Sequence, residues 1–117
     1  GNVVITSVDL RYDVNAVPSG MTTFRLYLYS VTPPSALADN AAWDLPSGDR
    51  ASFIGYVDVG TLNDLGSTLY AQVDAVNRQV KLGASETALY GYLVTAGAYT
   101  PAANSETLQV TLKTVAL

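Results

Sequence analysis

The residues able to run acid–base chemistry in this 117-residue chain are chiefly its ten acids, because it has neither histidine nor cysteine. Lacking histidine, it has lost the commonest general base, zinc ligand and pH switch. Lacking cysteine, it has no disulfides and no thiolate zinc sites. Asp39, Asn40, Asp44 and Asp49 fall in one irregular stretch and could offer oxygen ligands to Ca²⁺, a hard cation. Their spacing does not follow the D-x-[DN]-x-[DN]-G ligand loop. Asp and Asn also form turns and helix caps through side-chain to backbone bonds, which is the simpler reading here. Glu86 and Glu106 lie in loops beside strand starts. A glycosidase needs two carboxyls set across a cleft, and the sequence marks no such pair. Serine and threonine are plentiful, but no base stands among them and there is no G-x-S-x-G elbow. No glycine-rich phosphate loop occurs either. The expectation is no catalytic residue, no metal and no cofactor.

Aromatic side chains are the stronger candidates. Tyr27 and Tyr29 alternate with Phe24, Leu26 and Leu28, and Tyr90 and Tyr92 alternate with Leu89, Gly91 and Leu93. In an extended chain such alternation places the tyrosines together on the second face of each strand. Tyrosine there buries its ring while its hydroxyl finds a partner. Three readings compete: the other half of a sandwich core, a subunit interface, or a ligand surface. Aromatic enrichment is typical of interface cores. Trp43, in a polar loop, reads as a plug that pins the loop to the domain. It could also form a stacking platform for sugar with a loop tyrosine such as Tyr99.

The elements that position these residues are strands. Residues 3–12 alternate, with Val4, Thr6, Val8, Leu10 and Tyr12 on one face and Ser7, Asp9 and Arg11 on the other. Residues 15–20 (NAVPSG) form a turn by composition. The cleanest strand is 24–30 (FRLYLYS). Thr32-Pro33-Pro34 ends it, and an irregular stretch over 35–50 follows, with one helical turn allowed near 36–43. Loops of that length are uncommon and often functional. Residues 53–59 (FIGYVDV) form a strand in which Gly55 marks a bulge or close packing. Residues 69–73 and 78–82 read as two short strands joined across 74–77. The last two strands, 89–96 and 107–115, flank a corner at Tyr99-Thr100-Pro101. Seven or eight short strands with regular turn signals predict a single all-β domain over 1–117, an antiparallel β-sandwich or jelly roll.

Composition narrows the partners. Hydrophobic residues make up 49% and charged residues 14%, against a charged share of roughly 25% in globular domains. A surface so lightly charged suits broad cover by partners, and is also common in secreted β domains. Net charge is −4, and the six basic residues form no cluster. Sequence-independent nucleic-acid binding and attraction to an anionic membrane both need such a cluster. No apolar run approaches the ~18 residues of a membrane-spanning helix.

Four segments, taken in order, resemble a known group. FRLYLYS (24–30) leads into TPP, then DNAAWDL (39–45), FIGYVDV (53–59), and LYGYLVTAGAYTPAANSETLQVTL (89–112). This succession resembles the small head decoration, or cement, proteins of tailed bacteriophages. Many of those carry a longer N-terminal arm, whereas this chain starts almost at its first strand. The resemblance implies a β-sandwich, a place on the capsid surface of the virion, the major capsid protein as partner, and homo-oligomer contacts. A symmetric trimer would match the quasi-threefold positions of an icosahedral shell. It carries over no active-site residue. The expectation is therefore a non-enzymatic capsid-stabilising protein, with Tyr27, Tyr29, Tyr90, Tyr92 and Trp43 as candidate interface. The alternative is a carbohydrate- or receptor-binding sandwich of a head fibre or tail.

Overall fold

The first strand, β1 (Asn2–Tyr12), organises everything that follows. In the computed structural model, which describes residues 2–33, 35, 42–82, 85–101 and 106–117, it is paired along its length on both sides. Simple alternation would put Val4, Thr6, Val8, Leu10 and Tyr12 inside. The structure keeps Val8, Leu10 and Tyr12 buried but replaces Val4 and Thr6 with Val3 and Ile5. The cause is a bulge: Ile5 lies opposite Thr114 and Ser7 opposite Lys113, so Thr6 is an extra residue and the inward phase shifts by one. Bulging leaves backbone groups to be satisfied. The Thr6 carbonyl accepts from the Val76 N–H at 3.0 Å, and its hydroxyl donates to the Lys113 carbonyl at 3.0 Å.

Opposite the bulge lies a second irregularity. Strands β5 (Leu69–Val73) and β6 (Arg78–Lys81) do not pair with each other. They run collinearly along β1, as one strand interrupted at residues 74–77, where Ala75 and Asn77 adopt positive φ of 54° and 52°. On the far side β8 (Leu108–Ala116) follows β1 throughout, and a short β4 (Asn63–Asp64) completes the sheet beside β5. The second sheet has three strands, β2 (Thr23–Tyr29) between β3 (Phe53–Thr61) and β7 (Tyr90–Thr95). All pairings are antiparallel. The chain crosses from β3 to β4 at Gly60 and the buried Leu62.

The two sheets pack face to face as a β-sandwich. Ile5, Val8, Leu10, Leu69 and Val80 of the first meet Phe24, Leu26, Leu28, Val57 and Val59 of the second. At one end the Tyr12 hydroxyl donates to the Glu106 carboxylate, and the Tyr99 ring stands edge-on to Tyr12 at 6.3 Å. Beside them, the Thr107 N–H and hydroxyl both donate to the Asp13 carboxylate, at 2.7 and 2.9 Å. Those bonds favour the ionised acid and hold its pKa below the ordinary carboxylate value. The corner at Tyr99-Thr100-Pro101 is thus tied to the end of β1. Residues 102–105, just beyond it, lie outside the described residues, as does most of the turn allowed at 36–43. The helical element the structure does show is a short 3₁₀ turn at Ser47–Asp49.

Gly55 joins the two sheets in an unexpected way. It sits beside a bulge, since Leu28 lies opposite Gly55 but Tyr29 opposite Phe53, leaving Ile54 extra. Its φ of +143° is one that L side chains rarely adopt. The guanidinium of Arg78, reaching over from β6, occupies the place of a Cβ and donates to the Ile54 carbonyl. Gly55→Ala should therefore destabilise the fold by about 1–3 kcal/mol through backbone strain alone. Displacing the Arg78 guanidinium adds a further cost, and in a double-mutant cycle measured by urea unfolding Arg78→Ala should remove that added part while leaving the backbone strain. Strict additivity would refute the coupling.

Candidate functional site: the outer face of the three-stranded sheet

The register of the second sheet builds its outer face as three rows of three residues. Asp58, Arg25 and Val94 form the first row; Tyr56, Tyr27 and Tyr92 the second; Phe53, Tyr29 and Tyr90 the third. Tyr27 and Tyr29 were expected on this face, with Tyr90 and Tyr92 beside them, and the pairing brings all four together. Two members were missed. Phe53 and Tyr56 have opposite parity, so alternation alone puts them on opposite faces. The bulge at Ile54 restores them to one face, and Gly55 was the signal for it.

Directly opposed aromatic pairs are the strong units of a sheet, and here they extend into a cluster. The Tyr29 ring is edge-on to Phe53 at 5.5 Å and to Tyr92 at 5.8 Å. Trp43 lies flat on Tyr27, with centroids 3.6 Å apart and planes within 8°, and also meets Phe53 at 5.9 Å. The connection between β2 and β3 thus folds back over the second and third rows. Tyr27 is left 9% exposed and Tyr29 only 1%. Trp43 Nε1 is buried, and among the described residues no acceptor meets it at full hydrogen-bonding geometry. It lies close enough to the Tyr29 oxygen to favour the phenolate, but burial dominates and raises the Tyr29 pKa.

A second anchor holds this connection. Asp49 is 2% exposed, and its carboxylate accepts from the Ser35 hydroxyl at 3.0 Å and the Ser35 N–H at 3.4 Å. The Asp49 carbonyl takes the Ser52 N–H, and the Ser52 carbonyl takes the Ser30 N–H at the end of β2. The Ser35 carbonyl accepts from the Tyr92 hydroxyl at 3.3 Å. Of the proposed Ca²⁺ ligands, Asp49 is therefore committed to the loop, Asp44 is exposed, and Asp39 and Asn40 lie outside the described residues. No group of three acidic side chains gathers among the described residues. Glu86 is exposed, and Glu106 is engaged by Tyr12.

The first row is left open. Arg25 pairs with Asp58 at 2.6 Å and lies 4.1 Å over the Tyr56 ring. Beside them a shallow depression of about 230 Å³ is lined by Thr23, Arg25, Tyr27, Asp58 and Val94, below the ≈ 300–1,000 Å³ of small-molecule sites. Tyr56 is 51% exposed and Tyr90 36%. Tyr99, suggested as a stacking partner for Trp43, instead belongs to the separate Tyr12 cluster. Comparison with family models, with curated proteins and with solved structures returns no match for the chain.

Trp43→Ala should cost about 2–4 kcal/mol in urea unfolding, toward the lower end of buried-aromatic truncations because the ring is only half-buried. Asp49→Ala should cost about 1–3 kcal/mol by stranding the Ser35 donors. Values near zero would mean that the loop is not held where the structure places it.

The tyrosines offer an independent check. Burial raises the pKa of both Tyr12 and Tyr29 above the ordinary 10.0, reinforced at Tyr12 by its bond to Glu106. A phenol with a raised folded pKa adds stability that is complete below pH 10.0 and lost as the pH climbs above it. Tyrosinate absorbance should therefore show a late fraction that ionises together with alkaline unfolding. All eight tyrosines titrating as exposed phenols in the folded protein would refute this.

Proposed function

We propose that this chain is a non-enzymatic structural protein of a bacteriophage virion, a decoration protein that binds the outside of the assembled head and stabilises it. The observation that carries the reading is the uncovered part of the aromatic face: Tyr56 and Tyr90 flank a packed, loop-clamped centre, with the neutralised Arg25–Asp58 pair beside them. Aromatic residues and arginine with little net charge are the composition of interface cores. Stacking and Asp49 hold the face in place, so little ordering remains to be done on binding. The succession of segments from FRLYLYS to LYGYLVTAGAYTPAANSETLQVTL supports the virion setting, and the low charged content supports broad contact.

The mechanism is mass action. Packaged DNA pushes capsid subunits apart. A protein that binds only the assembled lattice stabilises it by RT ln(1 + [L]/Kd) at each site. Many weak attachments together give avidity that no single contact needs to supply. The sugar-binding alternative finds less support, because one Trp43 face is already stacked on Tyr27 and the indole N–H is turned inward.

Heads carrying the protein should open at a higher temperature than stripped heads, with re-addition restoring the difference. Tyr56→Ala and Tyr90→Ala should each weaken binding to heads by roughly 5- to 30-fold, the range of an interface aromatic, while costing no more than about 1 kcal/mol of stability, the worth of a cross-strand pair. Equal thermal stability of decorated and stripped heads would overturn the reading. Glycan binding abolished by Tyr56→Ala would replace it with the alternative.

A further inference from the structure

The edges of the two sheets are unequally guarded. β4 has two residues, β6 has four bounded by Arg78 and Lys81, β7 contains Gly91, and β3 carries a bulge and Asp58. Such short, charged or kinked edges resist pairing with another chain. β8 does not fit that pattern. It runs nine residues, Leu108–Ala116, without glycine or proline and with one charge, Lys113. Even that charge is drawn back onto its own sheet, where it lies 3.5 Å from Asp9.

The direction of the β8 backbone can be read from its ends. The Thr107 carbonyl accepts from Asp13, the Leu117 N–H donates to Asn2, and the Lys113 carbonyl accepts from Thr6. The extra residue of the bulge lies on β1, so β8 itself is regular. Odd-numbered residues therefore turn their backbone groups to β1, and Leu108, Val110, Leu112, Thr114 and Ala116 turn theirs outward. The same even set presents Val110 and Leu112 to the core layer.

We propose that β8 pairs antiparallel with β8 of a second copy of this chain, about a two-fold axis at Leu112. This register uses all nine residues and meets the hydrogen-bonding phase. On the core side it sets Leu112 against Leu112 of the second copy, Val110 against Thr114, and the half-exposed Leu108 against Ala116. On the outer side the exposed Val115 meets Gln109, and Lys113 meets Thr111. Thr111 is the residue opposite Asp9 on β1. Each Lys113 thus enters a row headed by the second copy's Asp9, and no like charges oppose each other. Moving the axis by one residue, to Lys113, would set lysine against lysine, which is unfavourable. The contact is isologous and closes as a pair, without open-ended growth. It is independent of the virion reading, since it concerns the free protein.

Sedimentation equilibrium or native mass spectrometry of the full chain, over a dilution series, should show a species at twice the 12.3 kDa chain mass. Thr114→Pro removes only an outward N–H, which an edge strand tolerates, and should abolish the pair. Thr111→Lys opposes two lysines twice across the axis and should weaken association roughly tenfold, with the unfolding midpoint unchanged. It decides the matter should the proline variant fail to fold. A monomer at every concentration, or an oligomer of any size that both variants leave unaltered, would overturn the proposal.

Discussion

A two-sheet sandwich can cover only one face of each sheet, and β2 has two faces to bury. Its inner residues Phe24, Leu26 and Leu28 are taken up by the opposing sheet. Its outer residues Tyr27 and Tyr29 are nearly as inaccessible, with no third sheet among the described residues to cover them. The rest of the second sheet follows from that demand. Phe53 and Tyr92 close in from the flanking strands, and the connection between β2 and β3 supplies Trp43 as a lid. A long connection costs little more to close than a short one, because loop entropy grows only with the logarithm of length. Its anchors therefore need to be good rather than numerous. A stacked indole and a buried, doubly bonded carboxylate meet that requirement.

The parts legible in the sequence were those set by period-two alternation over an unbroken strand. β2 shows Phe24, Leu26 and Leu28 on one face and Arg25, Tyr27 and Tyr29 on the other, as expected. The same rule failed wherever one residue was inserted. In β1 the bulge at Thr6 moved Val4 outward and brought Ile5 to complete burial. No local signal announces it, since Thr6 is an ordinary strand residue, and the reason lies across the sheet, in the interruption at 74–77 whose Val76 N–H bonds to Thr6. In β3, where Ile54 and Val59 are both extra against β2, the first insertion did have a local signal, Gly55. Reading that glycine through to its consequence would have moved Phe53 and Tyr56 to one face and completed the aromatic grid. The collinearity of β5 and β6 was hidden for a related reason. A four-residue break between two short strands resembles a hairpin turn, and only a third strand long enough to span both shows it to be a gap.

The role of Asp49 illustrates a different limit. As a sequence feature it was one of several acids in an irregular stretch, better suited to a turn or a cap than to a cation. Its role depends on Ser35, fourteen positions earlier, and on Ser52, which hands the connection on to Ser30. Long-range polar pairings of this kind leave no periodic trace. They become visible only when burial forces a carboxylate to find donors, because an unpaired buried charge is too costly to persist.

The same accounting separates residues that hold the fold from residues that it leaves exposed. Tyr27, Tyr29 and Trp43 have spent their ring faces on one another, so replacing them would disturb stability before recognition. Tyr56 and Tyr90 stand at the rim of that cluster, Tyr56 tilted against Tyr27 and Tyr90 opposite Tyr29 on the neighbouring strand, and both are left partly in water. An exposed aromatic on a rigid strand is costly to hydrate and cheap to immobilise, which is the combination an interface exploits. Arg25 adds to it without adding net charge, because Asp58 neutralises it and Tyr56 takes the face of its guanidinium. A surface built this way gains by apolar contact and loses little when salt screens it. That suits a contact that must hold irrespective of ionic strength better than one steered by charge from a distance.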